Sequence, residues 1–211
     1  MNKNTFSGEG LFCKRGERNV FSELSFSVNA GEALIIRGPN GSGKSSLLRL
    51  MAGILKPREG RMLWNGQNID DRDEEHKATL HYIGHLNPIK PIFTVYENIY
   101  HWNQIRLNPT DIEKALEKFN IKHLRNVSGR FLSAGQVRLA NLARIVASPA
   151  DLWLLDEPTT ALDSQAILAL EHVIKAFQSA GGIVIISTHV NIALTNKKEI
   201  NLSQFFTMEP H

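Results

Sequence analysis

Residues 38–45 read GPNGSGKS and fit G-x-x-x-x-G-K-[ST] at every fixed position. ALIIR (33–37) before them reads as an apolar strand. SLLRLMAGIL (46–55) after them carries apolar residues at helical spacing, which predicts a helix running until Lys56-Pro57 stops it. A strand, a glycine-rich turn and a helix in that order leave few folds available. The turn aims backbone N–H groups at phosphate oxygens, and the helix N-terminus adds its dipole. Gly38, Pro39, Asn40, Gly41, Ser42, Gly43, Lys44, Ser45 and Ser46 are therefore expected to cradle a nucleoside triphosphate. Lys44 would reach the β- and γ-phosphates, and the Ser45 hydroxyl would ligate Mg²⁺.

The rest of the chain alternates around that motif. VFSELSFSV (20–28) and ALIIR read as strands joined by the turn at 29–32, RMLWNGQNI (61–69) as a strand entering an Asn-Gly turn, and TLHYI (79–83) as another strand. DDRDEEH (70–76) is expected to be a solvated loop or helix start. VYENIYHWNQI and DIEKALEKFN predict two amphipathic helices separated by Asn108-Pro109. A helix near 135–147, the strand DLWLL, a helix near 164–179 and the strand IVIIS follow. Short apolar strands between helices imply a mostly parallel sheet covered on both faces. The expected fold is α/β: a RecA-like P-loop core, an N-terminal antiparallel β subdomain and an inserted helical subdomain at about 86–148, all within one domain spanning 1–211.

Composition excludes more than it selects. Lys+Arg 24 against Asp+Glu 21 leaves +3, too small an excess to argue for nucleic acid. No apolar run approaches the roughly 20 residues of a membrane span, and MNKNTFSGEG lacks the apolar centre of a signal peptide. Cys13 is the single cysteine, which forbids an internal disulfide and fits a reducing compartment. C-x-x-C-H is absent, so covalent haem attachment to this chain is excluded.

DLWLLDEP (151–158) is an apolar strand delivering Asp156 to a sheet edge, where it can hold Mg²⁺ through water. Glu157 beside it can orient and deprotonate an attacking water. LSAGQ (132–136) opens the helix VRLANLARIVAS, and Ser133 with Gln136 has the spacing of a capping box. The ordered set of P-loop, LSAGQ, LLDEP, TALD (160–163) and STH (187–189) resembles the ATP-binding cassette family. That resemblance implies an ATPase working as a homodimer, in which the LSAGQ helix of one copy faces the γ-phosphate held by the other. Ser133, Gly135 and Gln136 would then complete the partner's site in trans, Asp163 would lie in the loop crossing the interface, and His189 would contact the γ-phosphate.

Several positions depart from the family pattern. Alanine replaces the first glycine of LSGGQ, and TALD replaces SALD. The aromatic residue expected to stack on adenine falls at Arg15, whose guanidinium can stack on a purine face; Phe12 is the alternative. The glutamine expected before LTVxEN-like TVYEN (94–98) falls at His85, in YIGHLNPIKP (82–91). His85 would take the glutamine's place beside Mg²⁺ and the attacking water. Haem ligation by His85 with His81 is disfavoured because that corner faces ATP. YIGH, Ile89-Lys90 and Ala134 are similar to the ATPases of cytochrome c maturation, although DEPTT is closer to the general cassette pattern.

This nearer resemblance implies a peripheral subunit on the cytoplasmic face of a bacterial inner membrane. Its partners would be an integral membrane subunit of CcmB type and CcmC- and CcmD-like proteins. It would dock through residues 86–130, with Tyr96, Tyr100 and Trp102 either as anchors or as subdomain core. The alternatives are the ATPase of another small exporter or lipoprotein-release system, a soluble cassette ATPase outside transport, and a regulator that binds ATP without turnover.

Overall fold

The computed structural model of the chain describes residues 4–105 and 111–205. Asn108-Pro109, expected to separate two helices, lies outside the described residues. In chain order the strands are β1 (Thr5–Arg15), β2 (Arg18–Asn29), β3 (Ala33–Arg37), β4 (Glu59–Trp64), β5 (Gln67–Asn68), β6 (Leu80–Ile83), β7 (Leu152–Asp156), β8 (Ile183–Ser187) and β9 (Lys197–Asn201). The helices of more than one turn are α1 (Lys44–Met51), α2 (Asp73–Thr79), α3 (Val95–Ile105), α4 (Ile112–Lys118), α5 (Ala134–Val146) and α6 (Ser164–Ser179).

The strands form two sheets. β2-β1-β4-β5 is antiparallel, and β6-β7-β8-β3-β9 is parallel at every pairing. The two strands on either side of the 29–32 turn, although adjacent in sequence, belong to different sheets: β2 closes the antiparallel layer and β3 lies inside the parallel one. Side-chain alternation explains how the parallel sheet separates two cores. Leu34, Ile36, Leu152, Leu154, Ile183 and Ile185 point to the face covered by α1 and the antiparallel sheet. Their neighbours Ile35, Trp153, Leu155, Val184 and Ile186 point to the face covered by α3, α4, α5 and α6. Strands buried on both faces need continuous apolar sequence, which LWLL in β7 and IVII in β8 supply.

α1 is shorter than its apolar spacing suggests. It ends at Met51, and Gly53 takes φ 68 just beyond the cap, so Ile54 and Leu55 leave the helix for solvent rather than continuing to Lys56. Asn65 (φ 52) and Gly66 (φ 77) form the expected tight turn between β4 and β5. The β5 end continues as a short 3₁₀ turn into α2, so DDRDEEH is a helix start. Between β6 and β7, α3, α4 and α5 pack around Val95, Ile99, Leu116, Phe119 and Leu142 in the second core. Tyr96 packs against this core with the Arg125 guanidinium over its ring, Trp102 carries the Arg144 guanidinium at 4.3 Å, and Tyr100 is 42% exposed.

Candidate nucleotide-binding site

The sheet order sets the site. β8 lies between β7 and β3, so the carboxyl end of β8 stands between the P-loop and the Asp156-Glu157 corner. Asp156 and Ile36 both pair with Ser187 in register, which brings three strand ends to one level. Ligands of parallel α/β sheets bind at this edge.

The P-loop turns as its glycines permit. Gly38, Gly41 and Gly43 have φ of 146, 79 and 100, and a Cβ on Gly43 would stand 2.2 Å from Val20 Cγ1. Gly43 caps α1 in a left-handed conformation without any side-chain cap, and the first turn carries no acid. The helix N-terminus is thus left to an external acceptor. Lys44 is 8% exposed; its Nζ donates to Gly38 O at 2.8 Å and Pro39 O at 3.3 Å. The same ammonium is 3.0 Å from His189 Nε2, so the imidazole accepts from it. His189 Nε2 is also 3.2 Å from Asn40 Oδ1 and 3.5 Å from Glu157 Oε1. Arg37, at the end of β3, donates to Thr188 O at 2.7 Å and Val190 O at 2.9 Å, holding the backbone on both sides of His189.

Asp156 is 1% exposed. Its Oδ1 accepts from Ser187 Oγ at 2.5 Å, while Oδ2 is buried with no hydrogen-bond partner among the described residues. An orphaned carboxylate oxygen on a residue that lines the same cavity as Ser45 fits a hard, oxygen-seeking cation such as Mg²⁺. Glu157 takes φ 45, a left-handed conformation unusual for a side-chain-bearing residue, and its Oε1 is buried with no hydrogen-bond partner among the described residues. Tyr82 reaches the same edge: burial pushes its phenol up, the Asp156 charge adds to that, and a hydrogen bond from Arg49 opposes it.

Lys44, Ser45, Asp156 and Glu157 line one cavity of about 610 Å³, which runs from Arg15, Arg18 and Val20 to His85; His189 and Tyr82 are not part of its lining. Such a volume suits a nucleotide. Arg15 is brought to the site at the end where a base would lie, joined by Arg18 across the β1–β2 turn; Phe12 does not line the cavity. Ser46 lies in its wall. His85 also lines a second cavity, of about 340 Å³, with Arg138, Glu157, Thr160 and Ala161. His81 does not join it: the ring is buried, with Nε2 at 3.0 Å from Ser148 O.

Ser133, Gly135, Gln136 and Asp163 lie apart from the P-loop cavity. The capping box is formed, with Ser133 N donating to Gln136 Oε1 at 2.9 Å and Gln136 N to Ser133 Oγ at 3.3 Å. Asp163 caps α6 through Ala166 N at 2.8 Å. Gly135 meets the TALD loop in its own chain, since a Cβ there would lie 2.8 Å from Ala161 O. Two residues of this region escape sequence reasoning. Arg37 and Arg138 look like ordinary surface arginines in sequence, and only the fold brings carbonyls to them.

Comparison with known proteins agrees with this geometry. The family model described as "ABC transporter" matches residues 21–160. A "Cytochrome c biogenesis ATP-binding export protein CcmA" from Paramagnetospirillum magneticum is 46% identical over 214 residues, covering 99% of both chains. The chain belongs to this CcmA family of ABC transporter ATPases. CcmA relatives under the same description from Rhodospirillum rubrum and Haemophilus influenzae are 49% and 34% identical, covering 95% and 93% of the chain and 86% and 94% of the relatives. Among solved structures, an ABC transporter ATP-binding protein from Pyrococcus furiosus superposes with a TM-score of 0.85 at 23% identity, over 96% of this chain and all of that one. A bacterial Atm1-family ABC exporter with ATP bound gives 0.81 at 24%, over 89% of this chain and 35% of that chain. At those identities the likeness shows the fold alone. The chain thus has the ATP-binding fold of the CcmA family, and no described helix is long and apolar enough to cross a membrane.

Proposed function

We propose that the chain is the ATP-hydrolysing subunit of a transporter that serves haem handling in c-type cytochrome biogenesis. The observation that carries the hydrolytic part is the convergence of Lys44 Nζ and Glu157 Oε1 within 3.5 Å of His189 Nε2, together with the orphaned Asp156 oxygen. The P-loop from Gly38 to Ser46 binds the triphosphate. Arg15 stacks on the base. Ser45 and Asp156 hold Mg²⁺, which neutralises phosphate charge when bound. Glu157 takes a proton from water as the water oxygen bonds to the γ-phosphorus and the bond from that phosphorus to the β–γ bridging oxygen breaks. His189 orients the γ-phosphate, and His85 approaches the attacking water in the role usually filled by glutamine.

Ser133, Gly135, Gln136 and Asp163 belong to the site of a second copy, so that two chains enclose two nucleotides. The transport part rests on the CcmA relatives across nearly the full chain. It implies a peripheral subunit on the cytoplasmic face of the bacterial inner membrane, bound to a CcmB-type membrane subunit with CcmC- and CcmD-like proteins. Leu86, Ile92 and Ile105, each at least 70% exposed near or within the helical region, support a partner there. Residues 86–130 then form the docking surface, within the helical subdomain at 86–148 of a single 1–211 domain.

The test combines turnover with capture. Glu157→Gln should bind ATP, lose turnover by about 100-fold or more and accumulate as an ATP-bound dimer; wild-type turnover in this variant rejects Glu157 as base. Co-expressed with a CcmB-type subunit, the trapped dimer should co-purify with it, and absence of binding rejects the cytochrome c assignment.

A further inference from the structure

Arg138 lies on α5, five residues after Ser133, and is 2% exposed. It makes five hydrogen bonds. Nε donates to Pro158 O at 3.2 Å, and Nη2 to Asp156 O at 2.8 Å and Glu157 O at 2.9 Å. Nη1 donates to Gly84 O at 3.1 Å and Asn87 Oδ1 at 2.9 Å. A guanidinium has five N–H donors, so the inventory is used in full. The acceptors come from two segments: three successive carbonyls of the Asp156–Pro158 turn, and the loop on either side of His85.

We propose that Arg138 is a positioning residue for hydrolysis: it fixes the turn that aims the Glu157 carboxylate and ties that turn to the His85 corner and to the helix beginning at Ser133. The inference rests on Glu157 being the base.

Backbone geometry gives the reason. Glu157 at φ 45 occupies a left-handed conformation that strains a residue with a Cβ. It persists because both flanking peptides are held. The Glu157 N–H donates to Ser187 O at 3.0 Å and contacts Ser187 Oγ at 3.1 Å, and the Glu157 carbonyl is held by Arg138. Releasing the carbonyl lets the turn relax, and the carboxylate swings with it. Asn87 is gripped twice, by Arg138 and by Asn141 Nδ2 at 3.0 Å, from the same face of α5. A shift of α5 therefore carries both the His85 loop and the Glu157 turn.

The cost of this arrangement also speaks for a role in the reaction. None of the five acceptors is a carboxylate, and burial pulls the guanidinium pKa down, with only the charges of Asp156 and Glu157 nearby opposing it. An apolar side chain would fill a core position at less cost. Lysine, with three donors on one nitrogen, cannot span these acceptors.

The experiment uses the full chain and measures ATP turnover, affinity for a fluorescent ATP derivative, and thermal unfolding. Arg138→Met and Arg138→Lys should both lose about 10- to 100-fold in kcat while nucleotide Kd stays within about 3-fold. A folded Arg138→Met with kcat within about 2-fold of wild type overturns the proposal, as does a Kd that weakens in proportion to kcat. Should Arg138→Met fail to fold, Asn87→Ala decides: it keeps the guanidinium and its four carbonyl bonds. It should lower kcat about 3- to 10-fold at unchanged Kd, and an unchanged kcat overturns the proposal. Glu157→Gln runs alongside. Wild-type turnover there defeats the base assignment, whereas its loss together with a fully active Arg138→Met defeats the positioning role alone.

Discussion

α1 and α5 both follow a small capping residue at the end of a loop, yet their N-termini are finished differently. α1 starts at a left-handed Gly43 with no side-chain cap, inside a cavity and beside the Lys44 ammonium. α5 starts at Ser133, fully capped by the Ser133–Gln136 box and exposed. An uncapped helix end is tolerable where a ligand of the same chain supplies the acceptor. An end that meets its ligand only when another molecule arrives must be stable alone, and the capping box provides that. In the proposed dimer one chain would therefore carry a receiving end and a presenting end, in different places. That division is what a dimer with two shared sites requires.

Three measurements test the contrast, beginning with the largest effect. Removing the charge from the receiving end, Lys44→Ala, should weaken ATP binding about 100-fold in equilibrium titration; retained affinity would mean that the uncapped N-terminus suffices. Next comes the presenting end. Ser133→Arg should leave ATP binding near wild type while stopping turnover. Mixing this chain with Lys44→Ala should restore about a quarter of wild-type activity, because half the dimers are mixed and each has one intact site. No restoration would break the assignment of the two ends to different partners. Smallest is the effect of Ser133→Ala on unfolding of the nucleotide-free chain, where the partner's site plays no part and only the cap is lost. The substitution should cost about 1 kcal/mol and lower Tm by about 2–4 °C, and an unchanged Tm would mean that the box contributes nothing before the partner binds.

Much of this arrangement was legible in the sequence, and the parts that were not have physical reasons. α3 and α6 fall where their periodicity put them, because each has one apolar face against the second core. β1 gives no clean alternation, since its pairing with β2 slips between Gly8 and Leu11, between Leu11 and Cys13, and between Cys13 and Lys14. β9, KKEIN, is an exposed polar edge strand recognisable only by its pairing with β3. α1 was overextended because Met51-Ala52-Gly53-Ile54-Leu55 keeps an apolar rhythm past the glycine that turns the chain. In the site, Lys44, Ser45, Asp156 and Glu157 carry local motifs, and the fold assembles them. The roles of Arg37 and Arg138 depend on carbonyls 50 or more residues away or on a neighbouring turn, which no local pattern records.

Gly135 has a consequence for how genetic defects in this chain are read. Its lack of a Cβ makes room for Ala161 O, and Ala161 itself sits at φ 64. A larger residue at 135 would push on the TALD loop of its own subunit before any second subunit arrived. An inactive allele at that glycine therefore reports damage inside one chain as readily as a failed encounter between two. Ser133, whose side chain faces outward and whose private contribution is a single cap, is the residue at which the two kinds of lesion come apart.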